Sequence, residues 1–204
     1  MNTLLNCPVC NFENFSLHLE CHDHFLTHEK FTIVKCDKCN FCFVNPRPEV
    51  ERLQGYYESP DYISHSALRT NLWNYIYKNI RKQTHRKKFN IVSKFANGRI
   101  VIDMGCGSGE LLSFFKSRGW ETIGIEPNKM ARAFAIENHG LNIVDESGMA
   151  QIQCESADVI MLWHVLEHIY DLNKRLQEIK RLLKKNGTLI IAVPLYYSFD
   201  AQYY

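Results

Sequence analysis

The sequence predicts an α/β protein: a mostly parallel sheet flanked by helices, with a small cysteine-rich module in front of it. Three observations carry this. From residue 99 onward, short β-branched runs alternate with helical periodicity, the pattern of strands joined by helical crossovers. The first of these runs breaks into the glycines of Asp103-Met104-Gly105-Cys106-Gly107-Ser108-Gly109, the loop expected where a Rossmann-like sheet meets a ligand. Near the N-terminus, Cys7-Pro8-Val9-Cys10 and Cys36-Asp37-Lys38-Cys39 form two C-x-x-C pairs with 25 residues between them.

The cysteine module comes first, over residues 1–48. Two C-x-x-C knuckles can bring four thiolates together, and four sulfur ligands suit tetrahedral zinc with no position left for an activated water. The ion would be structural, held by Cys7, Cys10, Cys36 and Cys39. Phe15, Leu17 and Leu19 alternate, as do Phe31 and Ile33, so two or three short strands should carry the knuckles. Cys21, His22, His24, His28 and Cys42 are nearby rival ligands, and Cys36, Cys39 and Cys42 partly match an iron–sulfur series that lacks its fourth cysteine. Pro46-Arg47-Pro48 closes the module.

Residues 49–98 read as an aromatic connector followed by a basic helix. Leu68, Leu72, Tyr75, Ile76 and Ile80 share one helical face, and the phase shifts before Ile91, Val92 and Phe95. The net charge of the 204 residues is only +2, yet residues 66–99 hold nine basic side chains and no acidic one. The densest run, Arg81-Lys82-Gln83-Thr84-His85-Arg86-Lys87-Lys88, suits a phosphorylated ligand or nucleic acid, or is simply a solvated face.

The sheet should follow over residues 99–204, with strands at 100–103, a second ending at Glu126, a third near 141–144, a fourth at 158–163 and a fifth at 188–193. Asp171 can cap the last helix, whose stripe is Leu172, Leu176, Ile179 and Leu183, and Asn186-Gly187 should stop it. Ligands of such sheets lie at the carboxyl ends of the strands, where Asp103, Glu126 and Trp163 all fall.

The acid decides what kind of ligand fits. A dinucleotide loop is G-x-G-x-x-G, whereas this one is G-x-G-x-G with a carboxylate two residues ahead, which repels a pyrophosphate and attracts an ammonium or sulfonium. Glu126, closing the second strand, can accept both hydroxyls of a ribose. Together they outline S-adenosylmethionine.

On these residues the chain resembles the class I S-adenosylmethionine-dependent methyltransferases, of the bacterial type with an N-terminal zinc ribbon. The matching stretches are Val101-Ile102-Asp103-Met104-Gly105-Cys106-Gly107-Ser108-Gly109, Gly124-Ile125-Glu126-Pro127, Asp158-Val159-Ile160-Met161-Leu162-Trp163-His164-Val165-Leu166-Glu167-His168 and the strand ending at Val193-Pro194. The resemblance implies cofactor contacts from Asp103, Gly105, Cys106, Gly107, Glu126, Pro127, Met149 and Trp163. It implies substrate-side roles for His164 and His168, the latter as general base. Tyr57, Tyr62 and His65 are further contacts it suggests.

His164-Val165-Leu166-Glu167-His168 also matches the zinc-peptidase spacing H-x-x-E-H, but it leaves a strand of a parallel sheet instead of lying within a long helix. Quinone-biosynthesis O-methyltransferases carry E-x-x-E-H with a divalent metal at this place; His164 stands where that pattern has its first acid. The family's sheet has seven strands, so the resemblance implies a chain truncated at its C-terminal side. It leaves the fifth strand as an edge through which a homodimer can pair.

The expected activity is methyl transfer to oxygen or carbon of a small molecule in the cytoplasm. Two alternatives stand beside it: an RNA methyltransferase that grips nucleic acid with ribbon and basic helix, and a noncatalytic scaffold that keeps cofactor affinity. No apolar run approaches a membrane span, and Met1 to Asn6 is too short for a signal peptide.

Overall fold

The structure is a computed structural model that describes residues 1–24, 27–53 and 72–195. Tyr57, Tyr62, His65 and Leu68 lie outside the described residues. Two compact units divide the chain: Met1–Trp73 with Tyr170–Asn173, and Asn74–Ile169 with Lys174–Tyr204.

The first unit holds a three-stranded antiparallel sheet of β1 (Phe15–His22), β2 (Lys30–Cys36) and β3 (Cys42–Val44), in the order β1-β2-β3, and a single helical turn, α1 (Val50–Leu53). The strands appear where alternation placed them, but the alternation does not mark a core. Leu17 and Leu19 are 65% and 52% exposed. A register shift between these two residues breaks the pairing of β1 with β2, and among the described residues of this unit the buried side chains are Cys7 and Cys36. Three short strands expose much of both faces, and among the described residues of this unit cysteines take the place of a core.

The second unit is built on a five-stranded, all-parallel sheet in the order β6-β5-β4-β7-β8. Its strands are β4 (Ile100–Met104), β5 (Glu121–Ile125), β6 (Asn142–Val144), β7 (Ala157–Trp163) and β8 (Leu183–Ala192). β4 and β7 are central and carry the continuous apolar runs that burial on both faces demands. Helices α2 (Leu72–Phe95), α3 (Glu110–Lys116), α4 (Lys129–His139) and α5 (Leu172–Leu182) connect or precede them.

Because strand side chains alternate between faces, β4 and β7 feed two separate cores. Val101, Val159 and Met161 pack with Val92 of α2, with Leu112 and Phe115 of α3 and with Ala135 of α4. Ile102, Met104, Ile160 and Leu162 pack with Ile179 and Leu182 of α5 and with Met149. On the first side Phe115 stands edge-on to Trp120, with ring centroids 5.1 Å apart, and Phe89 of α2 leans on Phe115 at 4.9 Å.

Two details differ from the pattern read in the sequence. α5 ends at Leu182, four residues before Asn186-Gly187, because Leu183 already pairs with Ala157; the ladder then shifts register and resumes at Thr188 opposite Val159. A Cβ on Gly187 would come within 3.0 Å of the carbonyl oxygens of Ala157 and Lys184, so the chain folds back here through a glycine. The buried face of α2 is also different. Arg81, His85, Lys88, Phe89 and Val92 turn inward, while Ile80, Ile91 and Phe95 are about half exposed.

Phe115 has no exposed surface and joins α3 to both α2 and the sheet. Phe115→Ala should lower the unfolding free energy by about 3–5 kcal/mol; urea denaturation of the two proteins measures this, and a change under about 1 kcal/mol would contradict the packing described.

Candidate functional site

The glycine loop leaves β4 and is held to β5 by three backbone N–H groups. Those of Gly105 and Cys106 donate to the carbonyl of Ile125 at 2.7 and 3.3 Å, and that of Gly107 donates to Glu126 Oε2 at 2.8 Å. The other carboxylate oxygen of Glu126 accepts the N–H of Asn128 at 2.8 Å, and Asn128 in turn caps α4. Glu126 is thereby fixed in place, 6% exposed, with further lone pairs available to a ligand.

Gly105 and Gly107 both have left-handed backbones, with φ of 70° and 54°, a conformation glycine adopts without strain. Their surroundings differ. A Cβ at Gly105 would meet Val165 at 2.5 Å, whereas one at Gly107 would meet nothing within 4 Å. The loop is closed on the side of β7 and open at Gly107, above Glu126.

Asp103 lies beneath, 4% exposed near the end of β4, and no hydrogen bond to its carboxyl occurs among the described residues. Burial raises its pKa to about 8; the charge of Lys88 partly offsets this and that of Glu126 adds to it. Lys88 reaches over from α2, its Nζ 4.5 Å from the centre of the Trp163 ring, and burial holds its own pKa below the ordinary lysine range. The indole Nε1 of Trp163 is buried without a hydrogen-bond partner. An uncompensated acid, a lysine over an aromatic face and an unsatisfied N–H donor thus share one end of β4 and β7.

Cys106 belongs to the floor of the loop. Its Sγ would lie 2.7 Å from a Cβ on Gly124, and burial, then the charges of Asp103 and Glu126, push its thiol far above the ordinary range. It is a packing group that stays protonated. Pro127 is exposed beside Glu126, and Arg132 of α4 donates to the carbonyls of both, at 2.7 Å to Glu126 and 3.2 Å to Pro127.

After β6 the chain forms a 3-10 turn, Gly148–Gln151, in which Met149 is 2% exposed and points into the second core. Asp145 organises the approach to this turn by accepting from Ser147 Oγ at 2.6 Å and from the N–H of Gly148 at 2.9 Å; these bonds hold its carboxyl below the usual range. From α5, Arg175 donates to Met149 Sδ at 3.1 Å and pairs with Glu146, while Arg181 donates to the Met149 carbonyl at 2.9 Å.

His164 follows β7 in a left-handed conformation, φ 57°, with its side chain 62% exposed and 3.8 Å from Glu167. His168 ends the short 3-10 turn Leu166–His168 and is also exposed. A three-residue turn does not set both imidazoles on one face of a helix. Among the described residues, only Cys7, Cys10, Cys36 and Cys39 form a cluster with metal-ligand geometry.

That cluster fits a tetrahedral ion. All four sulfurs lie within 4.8 Å of one another, with Cys7 to Cys39 at 3.6 Å and Cys10 to Cys36 at 3.5 Å; four thiolates about 2.3 Å from a zinc ion stand roughly 3.8 Å apart. Burial opposes ionisation of Cys36, but the N–H groups of Cys39 and Lys38 together with the thiols of Cys10 and Cys39 outweigh it and lower the pKa to about 7.

A profile of the methyltransferase domain matches residues 73–204, which span the sheet and every residue of the glycine-loop site. The chain is a member of the methyltransferase-domain family. Among curated relatives, this methyltransferase domain is similar to a ubiquinone biosynthesis O-methyltransferase of Haemophilus ducreyi, 34% identical over 120 residues, or 52% of this chain and 50% of that one. A protein of the same description from Actinobacillus pleuropneumoniae is 36% identical over 107 residues, 47% of this chain and 45% of that one. The chain spans about half the length of these relatives. In structure it is similar to a SAM-dependent methyltransferase of Archaeoglobus fulgidus, with a TM-score of 0.50 at 25% identity, covering 60% of this chain and 57% of that one.

Lys88 was legible only as one member of a basic run. The signal that separates it is spacing: residues 81, 85, 88 and 92 form one helical row, and Phe89 and Val92 anchor that row to the core. Val165 over Gly105 and the arginine clamps on the 145–151 loop carry no local sequence mark.

The buried acid has a consequence for the free protein. With a pKa raised from the usual carboxylate value to about 8, Asp103 is protonated in the folded chain where the unfolded chain is ionised, so it costs stability as pH rises through that window. Asp103→Asn, neutral throughout, should raise the melting temperature at pH 9 and leave it nearly unchanged at pH 4; equal shifts at both pH values would contradict the burial of an uncompensated carboxyl.

Proposed function

We propose that this domain binds S-adenosylmethionine and transfers its methyl group to an oxygen or carbon of a small-molecule acceptor. The observation that carries the reading is the pairing of a buried, unpartnered Asp103 with a glycine loop open at Gly107 above Glu126. Lys88 offsets the burial of Asp103 only in part, so a ligand cation suits that carboxyl, and a ribose diol suits the remaining lone pairs of Glu126. Family membership supports the class of reaction, and the name of the two relatives supports oxygen of a small molecule as acceptor.

When bound, the cofactor supplies a methyl group on a sulfonium that is already an activated leaving group. The chain's part is alignment. Gly105 and Gly107 admit the ligand to the backbone, Cys106 packs beneath, and Glu126 with Pro127 flanks the ribose. Met149 backs the loop that faces the base, and Trp163 borders the sulfonium end, where an aromatic face suits a cation. His164 and His168 open toward the acceptor side, and the imidazole of His168 takes the proton of the acceptor hydroxyl.

The four-cysteine cluster holds structural zinc in this reading, with no ligand position left for catalysis. A cytoplasmic setting suits eight free cysteines. β8, an edge of the described sheet, offers its backbone to a second copy.

Two measurements test this. In calorimetric titration with S-adenosylmethionine, Asp103→Ala and Glu126→Ala should each weaken binding at least ten-fold, about 1.4 kcal/mol or more. Wild-type affinity should rise with pH up to about 8, because the cation requires the ionised carboxylate; no binding by the wild type, or binding indifferent to both substitutions, would overturn the reading. Separately, zinc should copurify in stoichiometric amount and be lost from Cys7→Ser and Cys36→Ser.

A further inference from the structure

Helix α2 shows the sheet one face and the solvent another, and the solvent face is unusual. Ile80, Thr84, Lys87, Ile91 and Phe95 follow each other at steps of four, three, four and four residues, a single row along the helix. This row runs beside the one of Arg81, His85, Lys88 and Val92 that packs inward, about 100° round the helix from it. Its apolar members are large and bare: Ile80 is 58% exposed, Ile91 45% and Phe95 54%. Lys87 and Lys94 are exposed on the same side, and Lys94 Nζ lies 5.4 Å from the centre of the Phe95 ring. No acidic residue occurs anywhere between positions 66 and 99, so this helix carries no counter-charge of its own.

We infer that this face of α2 seats the domain on an anionic lipid surface, with Ile80, Ile91 and Phe95 entering the headgroup boundary and Lys87 and Lys94 held at the acidic headgroups. Both halves of the pattern are then used. Apolar side chains leave water at the interface, while lysines lay their stems along the apolar surface and keep their ammonium groups at the phosphates. A second copy of the chain is a poorer occupant, since a two-fold contact through this face sets Lys87 and Lys94 against their own counterparts. A nucleic acid takes the lysines but leaves three large apolar side chains in water. The nearby ring that would stack a base, Phe89, is already packed against Phe115 and Trp120. None of the five residues is among those placed in the cofactor site, so the two readings fail independently.

Sedimentation of the full 204-residue chain with mixed phosphatidylglycerol–phosphatidylcholine vesicles tests this, with pure phosphatidylcholine vesicles alongside. The chain should bind the mixed vesicles, bind the neutral ones far less, and release as salt rises. The pair Ile91→Ser and Phe95→Ser should weaken partitioning at least about ten-fold. The pair Lys87→Gln and Lys94→Gln should weaken it about thirty-fold. Thr84→Glu, an acid placed in the middle of the exposed row, should weaken it without touching the core. Unchanged circular dichroism and an unchanged thermal unfolding transition confirm that each variant is folded. No vesicle binding by the wild type would overturn the inference; so would loss in the lysine pair alone, with the serine pair and Thr84→Glu unaffected and a short RNA displacing the vesicles, which would assign the face to a soluble polyanion.

Discussion

A carboxyl group buried without a hydrogen-bond partner is the constraint around which the site is arranged. Asp103 sits near the end of the central strand β4, where the strand on either side is fully committed to the sheet and cannot move to relieve it. An isolated charge in such a place is costly, so the free protein keeps the group largely neutral, with Lys88 as a distant and half-buried counter-ion. The surrounding loop is meanwhile rigid: Glu126 and Ile125 hold it by backbone hydrogen bonds whether or not a ligand is present. In the function proposed here, preorganisation of this kind places the cost of burying charge in the folded chain and leaves it to be recovered by a cationic ligand.

The sheet was the more legible part of the molecule. Its strands announce themselves because burial on both faces removes polar residues altogether, as in Val159-Ile160-Met161-Leu162, and the glycines at 105, 107 and 109 mark where the chain must adopt left-handed conformations. Helix α2 was harder. Its buried row includes Arg81, His85 and Lys88, whose apolar stems and rings pack while their polar ends reach Glu110, Phe114 and Trp163, so hydrophobicity finds Val92 in that row but also points to Ile80, Ile91 and Phe95, which are exposed. The end of α5 was misplaced for a related reason: the residue that stops it, Leu183, is one the helical stripe also wanted.

In the site, the residues tied to backbone geometry were readable, and those acting across the fold were not. Asp103, next to last in β4, and Glu126, just after β5, each stand at a fixed offset from glycine. Lys88, Val165 and Arg175 come from other elements, and only the packing of α2, the β7 turn and α5 brings them in. The cysteine unit gives the reverse lesson. Leu17 and Leu19 look like a core and are exposed, while Cys7 and Cys36 look like ligands and are the buried residues. In so small a sheet a cluster of four cysteines stands where a hydrophobic core would be.

The protonation state of Asp103 is the most direct test of this account. Carbon-13 labelling of aspartate, with the side-chain carboxyl resonance assigned by comparison with Asp103→Asn, would follow its titration in the free protein and with S-adenosylmethionine bound. The midpoint should lie at about 8 in the free chain and drop into the ordinary carboxylate range when the cation is present. A carboxyl that already titrates in the ordinary range without ligand, or one whose midpoint ignores the ligand, would contradict it.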